Sequence, residues 1–167
     1  MSGQEPFERV VDLHGRTVWR VCRGLLPEHD AEDAWAETML AALGAYDRLA
    51  PGSDVRAWLV TIAHRKAVDL LRAGSRAALP VEEVPEAPSR LGLPGRRDLD
   101  LWAALGVLPE RQRVAVVQHH LGGLPFAQVA ELTGSTVDAA RKAASDGVRR
   151  LRHLLTTDED RTLEERP

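Results

Sequence analysis

Between residues 135 and 155 the chain carries five basic side chains, Arg141, Lys142, Arg149, Arg150 and Arg152, against two acids, Asp138 and Asp146. At helical spacing Ala140, Ala144, Val148, Leu151 and Leu155 share one stripe, while Arg141, Lys142, Ser145, Arg149 and Arg152 lie opposite. A helix fits the DNA major groove, and Arg and Lys on its free face contact phosphates and guanine edges. Just upstream, Pro125–Leu132 reads as a short helix made small by Ala127, Val129 and Ala130, and Thr133-Gly134-Ser135 as a tight turn. Short helix, glycine-containing turn and longer helix form a helix-turn-helix pattern. Ser135 and Asp138 have the spacing of a capping box. Two residues oppose the DNA reading: Asp146 repels phosphates, and Gly147 in a helix interior weakens it by about 1 kcal/mol.

A second constellation occupies the first half. Residues 28–37 hold five acids, Glu28, Asp30, Glu32, Asp33 and Glu37, and no Lys or Arg. Residues 56–76 hold five bases, Arg56, Arg65, Lys66, Arg72 and Arg76, against Asp69 alone. One helix therefore repels nucleic acid and its neighbour attracts it. Binding DNA alone needs no acidic helix; holding a basic protein surface and DNA together uses both.

Helices must position these groups nearly throughout. Phe7, Val10, Val11, His14, Val18, Val21, Cys22 and Leu25 recur at threes and fours, and Pro27 closes that helix. Asp30 is an N-cap candidate for a helix over Ala31–Leu43, with Gly44 at its C-terminal stop. After a turn-rich stretch containing Pro51-Gly52-Ser53, Asp54 caps a third helix that ends at Gly74. Residues 75–97, with Pro80, Pro85, Pro88 and Pro94, lose the periodicity and read as a flexible linker. Its fully extended reach is about 75 Å, useful only if the flanking parts sit apart. The helical pattern resumes at Asp98; Pro109 starts the next helix and Gly122-Gly123 stops it. The expected fold is all-α: two helical lobes, 1–74 and 98–155, joined by the linker 75–97 and followed by a charged, frayed tail over 156–167. Lobes of about 60 residues are marginal alone and gain stability from a partner.

Composition excludes several classes. The 167 residues have a net charge of −3, too negative for coating DNA by bulk charge. No apolar run approaches the roughly 18 residues needed to cross a bilayer, so no membrane insertion is expected. The first residues have no apolar signal core, and a single cysteine, Cys22, allows neither an intrachain disulfide nor a cysteine zinc site. A cytoplasmic location follows as the expectation. No enzyme, cofactor or metal is expected. His119 and His120 project about 100° apart on a helix, His29, Asp30, Glu32 and Asp33 read as a cap plus acidic surface, and neither a phosphate-binding glycine loop nor a Ser-His-Asp set is identifiable.

The segment Asp30-Ala-Glu-Asp-Ala-Trp-Ala-Glu-Thr-Met39 resembles the acidic helix in the second conserved region of bacterial RNA polymerase sigma factors of the extracytoplasmic-function (ECF) class. Arg56-Ala-Trp-Leu-Val-Thr-Ile-Ala-His-Arg-Lys-Ala-Val-Asp-Leu-Leu-Arg72 resembles the part of that region that melts and reads the −10 element. Leu108-Pro-Glu-Arg-Gln-Arg113 and Pro125–Leu155 resemble region four, which reads the −35 element. The resemblance implies a transcription initiation factor that binds core RNA polymerase and directs it to promoters. It places Asp30, Asp33 and Glu37 against the clamp helices of the polymerase β′ subunit. Tyr46, in a loop to Asp54 that holds a flipped base, falls with Arg56, Trp58, Arg65, Lys66 and Arg72 on −10 DNA. Thr136, Arg141, Lys142, Ser145 and Arg149 fall on −35 DNA. The implied partners are core polymerase (β′ clamp helices and β flap), promoter DNA and a sequestering anti-sigma factor. The linker would cover two DNA turns of roughly 34 Å each. The recognition helix departs from the family at Ala143, Asp146 and Val148, where basic residues are usual. Two other readings compete: a stand-alone helix-turn-helix regulator, which leaves the acidic helix unused, and a helical protein-binding adaptor.

Overall fold

The structure, a computed structural model, describes residues 4–77 and 96–164. Among these residues there are seven α-helices and no strand. Lobe one is α1 (Phe7–Leu25), α2 (Glu28–Ala45) and α3 (Val55–Ala77), with a 3-10 turn at Tyr46–Arg48. Lobe two is α4 (Arg96–Val107), α5 (Glu110–Val116), a π-helical turn (Val117–Leu121), α6 (Phe126–Thr133) and α7 (Val137–Glu164).

In lobe one the three helices pack pairwise around Val18, Val21, Cys22, Ala34, Ala42, Leu59, Ala63 and Ala67, all fully buried. Small residues set the approach of α1 to α2. Gly15 leaves room for Trp35, whose indole N–H donates to the Gly15 carbonyl at 3.0 Å. The buried Thr38 hydroxyl donates to the Ala34 carbonyl at 2.6 Å, so no polar group is stranded there. Burial pushes the Cys22 thiol up to about 12, which makes it inert.

Several helix ends differ from the pattern read in the sequence. Pro27, not Asp30, precedes α2, which starts at Glu28 and has no side-chain cap. The Pro27 carbonyl accepts the first intrahelical bond, from the Ala31 N–H at 2.8 Å, and the fixed φ of proline suits the turn into the helix. Gly44 lies inside α2 rather than stopping it. Asp54 does cap α3: its Oδ1 accepts the Ala57 N–H at 3.0 Å. Beyond it α3 runs through Gly74 to Ala77. Pro109 precedes α5 instead of being its first residue. The cap of α7 is Thr136, whose Oγ1 accepts the Ala139 N–H at 3.1 Å; the expected Ser135–Asp138 box does not form. Past Leu155, where a frayed tail was expected, α7 continues to Glu164. No Gly or Pro stands between Gly147 and Pro167 to end it. The prolines of the linker, Pro80 to Pro94, lie outside the described residues.

The lobes do not stand apart. α1 packs against α4, α5 and the π-helical turn, and the buried residues of both lobes form one continuous core. Two small helical units thus each serve as the other's stabilising partner. Across the junction Gln118 Nε2 lies 2.9 Å from His64 Nδ1, both side chains buried. The amide N–H donates to a neutral imidazole. Burial first, and the Arg65 charge second, hold His64 below its ordinary value of 6.5.

Gly147 belongs to the packing. It is buried where α7 crosses α5, and a Cβ there would lie 2.6 Å from Val116 Cγ2 and 3.2 Å from the Gln112 carbonyl. Gly147→Ala should therefore destabilise the chain by about 1–3 kcal/mol through overpacking, against the roughly 1 kcal/mol of helix propensity that alanine adds; a urea unfolding midpoint checks the sign. The unfolded chain takes up a proton on residue 64 near 6.5 while the folded chain holds His64 neutral. Stability should then be fully present above that value and fall as pH drops through it, and His64→Gln should flatten the profile of melting temperature between about pH 8 and about pH 5.5.

Candidate nucleic-acid interface

The helix-turn-helix forms as α6, a three-residue turn and α7. Gly134 adopts φ 63°, the left-handed conformation that favours glycine, and the chain reverses there with the Ser135 N–H donating to the Ala130 carbonyl at 3.0 Å. Ala130 and Ala140 are buried and α6 packs on α7. Ala140, Ala144 and Leu151 face inward, while Arg141, Lys142, Ser145 and Arg149 are exposed on the opposite side. Thr136, grouped with them from the sequence, is exposed, but its hydroxyl is occupied in capping.

Three cations of this face, Arg141, Lys142 and Arg149, are already paired. Arg141 Nη1 lies 3.5 Å from Asp138 Oδ1. Asp146 takes both Lys142 (2.8 Å) and Arg149 (3.5 Å). The hydrogen bond from Lys142 is the main reason the Asp146 carboxyl sits below the usual carboxylate range. Asp146 thus organises two cations. Such exposed pairs add little to stability. One arrangement was not legible in the sequence: the Arg141 guanidinium lies over the Phe126 ring, 5.5 Å from its centroid, and the other neighbour of Phe126 is His119, stacked at 3.8 Å and 16°. His119 Nδ1 is 2.8 Å from the Leu124 carbonyl, which fixes the base of this column. His119 and His120 contact each other edge-on at 4.8 Å.

In lobe one the candidates separate. Arg65 and Arg72 are exposed on α3. Lys66 Nζ is 3.6 Å from Glu37 Oε2, so a residue expected on DNA and one expected on protein are paired across α2 and α3. Arg56 is 3.9 Å from Asp54 and its Nη2 reaches the Gly123 carbonyl of lobe two at 3.4 Å. Trp58 is half-buried with its ring 6.4 Å from Tyr46. Tyr46, which the resemblance sets on −10 DNA at the start of the loop to Asp54, lies in the 3-10 turn with its ring turned inward. It is 7% exposed, edge-on to Phe7 at 5.4 Å, and its carbonyl accepts from Gln4 Nε2. Apolar surface on both sides drew it into the core. What remains open is the turn after it, where Pro51-Gly52 with φ 80° at Gly52 and the Ser53 N–H to Ala50 carbonyl bond fit a type II turn.

The acidic side chains Asp33 and Glu37 are exposed on α2 and Asp30 is half-exposed. Beside them Leu40 and Leu43 are 69% and 55% exposed, an apolar addition the charge pattern did not announce. His29, Asp30 and Asp33 offer ligand atoms within 4.8 Å of one another, but all lie at the surface, where His29 and Asp33 are 4.0 Å apart. Among the described residues no helix is long and apolar enough to cross a membrane.

Residues 10–77 match the Sigma-70 region 2 family and residues 98–151 the Sigma-70, region 4 family. The chain is 29% identical over 158 residues to the ECF RNA polymerase sigma factor SigE of Mycolicibacterium smegmatis, covering 89% of this chain and 61% of that protein. It is 31% identical over 140 residues to the ECF RNA polymerase sigma factor SigK of a Mycobacterium species, covering 77% of this chain and 69% of that protein. Among solved structures it is similar to CnrH in complex with the cytosolic domain of CnrY, with a TM-score of 0.65, 26% identity and coverage of 94% of this chain and 92% of that one. The fold is shared with the sigma factor RpoE in complex with the anti-sigma factor NepR from Bartonella quintana, with a TM-score of 0.72, 24% identity and coverage of 91% and 98%. With both regions matched in order over most of its length, the chain belongs to the ECF RNA polymerase sigma factors, transcription initiation factors built from regions 2 and 4.

Proposed function

We propose that this chain docks on core RNA polymerase through α2 and brings two DNA-facing helices to one promoter. The observation that carries this reading is the division of exposed charge: acids Asp33 and Glu37 with Leu40 and Leu43 on α2, and cations on the free faces of α3 and α7. Asp30, Asp33 and Glu37 face the β′ clamp helices, with the two leucines supplying the apolar contact. A docking surface of this composition attracts a basic partner and excludes DNA.

Region 4 takes the −35 element, with Arg141, Lys142, Ser145 and Arg149 toward the major groove and the β flap supporting the lobe. Phosphates displace Asp138 and Asp146 from their partners at small loss, because the pairs are exposed. The Phe126 ring keeps the Arg141 guanidinium from collapsing onto the surface when Asp138 is released. In region 2, Arg65, Lys66 and Arg72 track the backbone of the −10 element, and Trp58 with the Pro51-Gly52 turn holds an unpaired base. Capturing one base by stacking contributes roughly 1–3 kcal/mol, comparable with the cost of extruding it. The chain therefore traps a strand that the polymerase helps to open, and supplies no bond-making chemistry itself. A sequestering anti-sigma protein fits as regulator: RpoE, which shares the fold, was solved with the anti-sigma factor NepR, and CnrH with the cytosolic domain of CnrY.

Charge reversal by Asp33→Lys with Glu37→Lys should abolish co-elution with core polymerase while circular dichroism stays unchanged; retained co-elution contradicts the docking assignment. Arg141→Ala with Lys142→Ala, measured in the complex with core on a fragment active in run-off transcription, should weaken upstream binding and reduce the slope of log affinity against log salt by about 2. An unchanged slope contradicts DNA contact by this face.

A further inference from the structure

Three side chains from three elements, His119 of the π-helical turn, Phe126 of α6 and Arg141 of α7, meet at the entrance of the helix-turn-helix. Their base is a rigid corner. The Leu124 N–H donates to the Gln118 carbonyl at 3.0 Å, and the Leu124 carbonyl lies 2.8 Å from His119 Nδ1. A carbonyl only accepts, so Nδ1 carries the hydrogen and the imidazole is held in one tautomer and one orientation. Pro125 turns the chain into α6, whose first residue is Phe126. The fixed imidazole stacks on its ring at 3.8 Å and 16°. The Phe126 ring is therefore set by groups outside α7 before α7 adds anything. Over that ring lies the Arg141 guanidinium, 5.5 Å from the centroid, on a side chain that stays 61% exposed.

The cations of α7 differ in what holds them. Lys142 and Arg149 share one carboxylate, Asp146, at 2.8 and 3.5 Å. A shared carboxylate draws two charges inward but fixes no plane. Arg141 has Asp138 at 3.5 Å and, in addition, an aromatic ring. A ring restricts the plane of a guanidinium, and a fork whose orientation is already set loses less freedom on forming two parallel hydrogen bonds. Position agrees with this difference. Arg141 is the fifth residue of α7 (Val137–Glu164), in the N-terminal part that meets base edges when such a helix enters the major groove; Arg149 lies two turns further on.

We propose that Phe126, braced by His119, is a positioning residue for sequence reading: it orients the Arg141 guanidinium toward one base pair of the −35 element and makes Arg141 the side chain that selects a guanine there. This inference rests on the sigma-factor reading above and deepens its −35 contact. Guanine O6 and N7 accept two parallel N–H bonds from arginine, so they take over from the Asp138 oxygen while the ring contact persists. The remaining N–H groups stay available to the flanking phosphate. Lys142 and Arg149, which have no ring beneath them, hold phosphates and carry no sequence information themselves.

The test uses holoenzyme on a fragment active in run-off transcription, with each base pair of its upstream element replaced in turn. The native factor should show one G·C pair whose replacement weakens binding about tenfold, and Arg141→Ala should remove the preference at that pair alone. Phe126→Leu should reduce the same preference at least about threefold, and Phe126→Tyr, which keeps the ring, should restore it. In an Arg141→Ala background Phe126→Leu should change no preference. A Phe126→Leu factor that keeps the full preference overturns the proposal. So does one that loses affinity equally at every pair, with or without Arg141, as a purely structural ring would. Nuclear magnetic resonance of the free native chain gives a second decision that needs no variant of Phe126. The Arg141 Nε–H signal, assigned by its loss in Arg141→Lys, should stand upfield of those of the other exposed arginines through the ring current; coincidence with them overturns the contact. An active holoenzyme in which Arg141→Ala alters no base preference overturns this inference and leaves the sigma-factor reading standing, whereas a native chain that neither co-elutes with core polymerase nor transcribes refutes that reading itself.

Discussion

Close approach of backbone across the two lobes is the constraint on which this structure depends. Helical units of about 60 residues bury too little surface to be robust alone. Here Gly24 admits Val117, Gly122 admits Val60, and the two units share one core. Three features follow from that contact: the π-helical turn that redirects Val117 and Gln118, the neutral buried His64, and the packing of α1 against region 4 as well as against its own lobe. Packing at interior density makes such an interface two-state rather than gradually yielding.

Electrostatics follow a similar logic at the surface. Lys66 is held by Glu37, Arg141 by Asp138, and Lys142 and Arg149 by Asp146. Each pair joins a cation proposed for DNA to an acid on the same or the neighbouring helix. Exposed pairs of this kind are worth little in stability, so their interest lies in exchange. A phosphate that replaces an aspartate finds its lysine or arginine already extended. In the proposed docking, a basic surface on polymerase that takes Glu37 also releases Lys66 toward the strand, which couples polymerase binding to DNA binding through one exposed pair.

Local signals in the sequence were sufficient for α1, closed by Pro27, for α3, capped by Asp54, and for the helix-turn-helix with its left-handed Gly134. These elements are set by neighbours a few residues away. Ser135 and Thr136 have the same capping chemistry, and only geometry selects Thr136 as the cap of α7. Gly147 read as a weakness of the helix because propensity is local, whereas its use is the crossing with Val116, some thirty residues earlier. The junction between lobes was invisible for the same reason: His64 and Gln118 are separated by 54 positions and the linker prolines suggested distance. The family resemblance sets Tyr46 at the start of a base-holding loop, and only in three dimensions do Phe7 and Trp58 converge on its ring.

The most direct measurement is energy transfer between a donor on Arg9→Cys of α1 and an acceptor on Glu131→Cys of α6, both exposed positions, in a Cys22→Ala chain with and without a second substitution, Gly24→Leu, that fills the junction. High transfer in the first chain that falls when the junction is filled is the predicted result. Low transfer in the first chain, or high transfer that the junction substitution leaves unchanged, would contradict it.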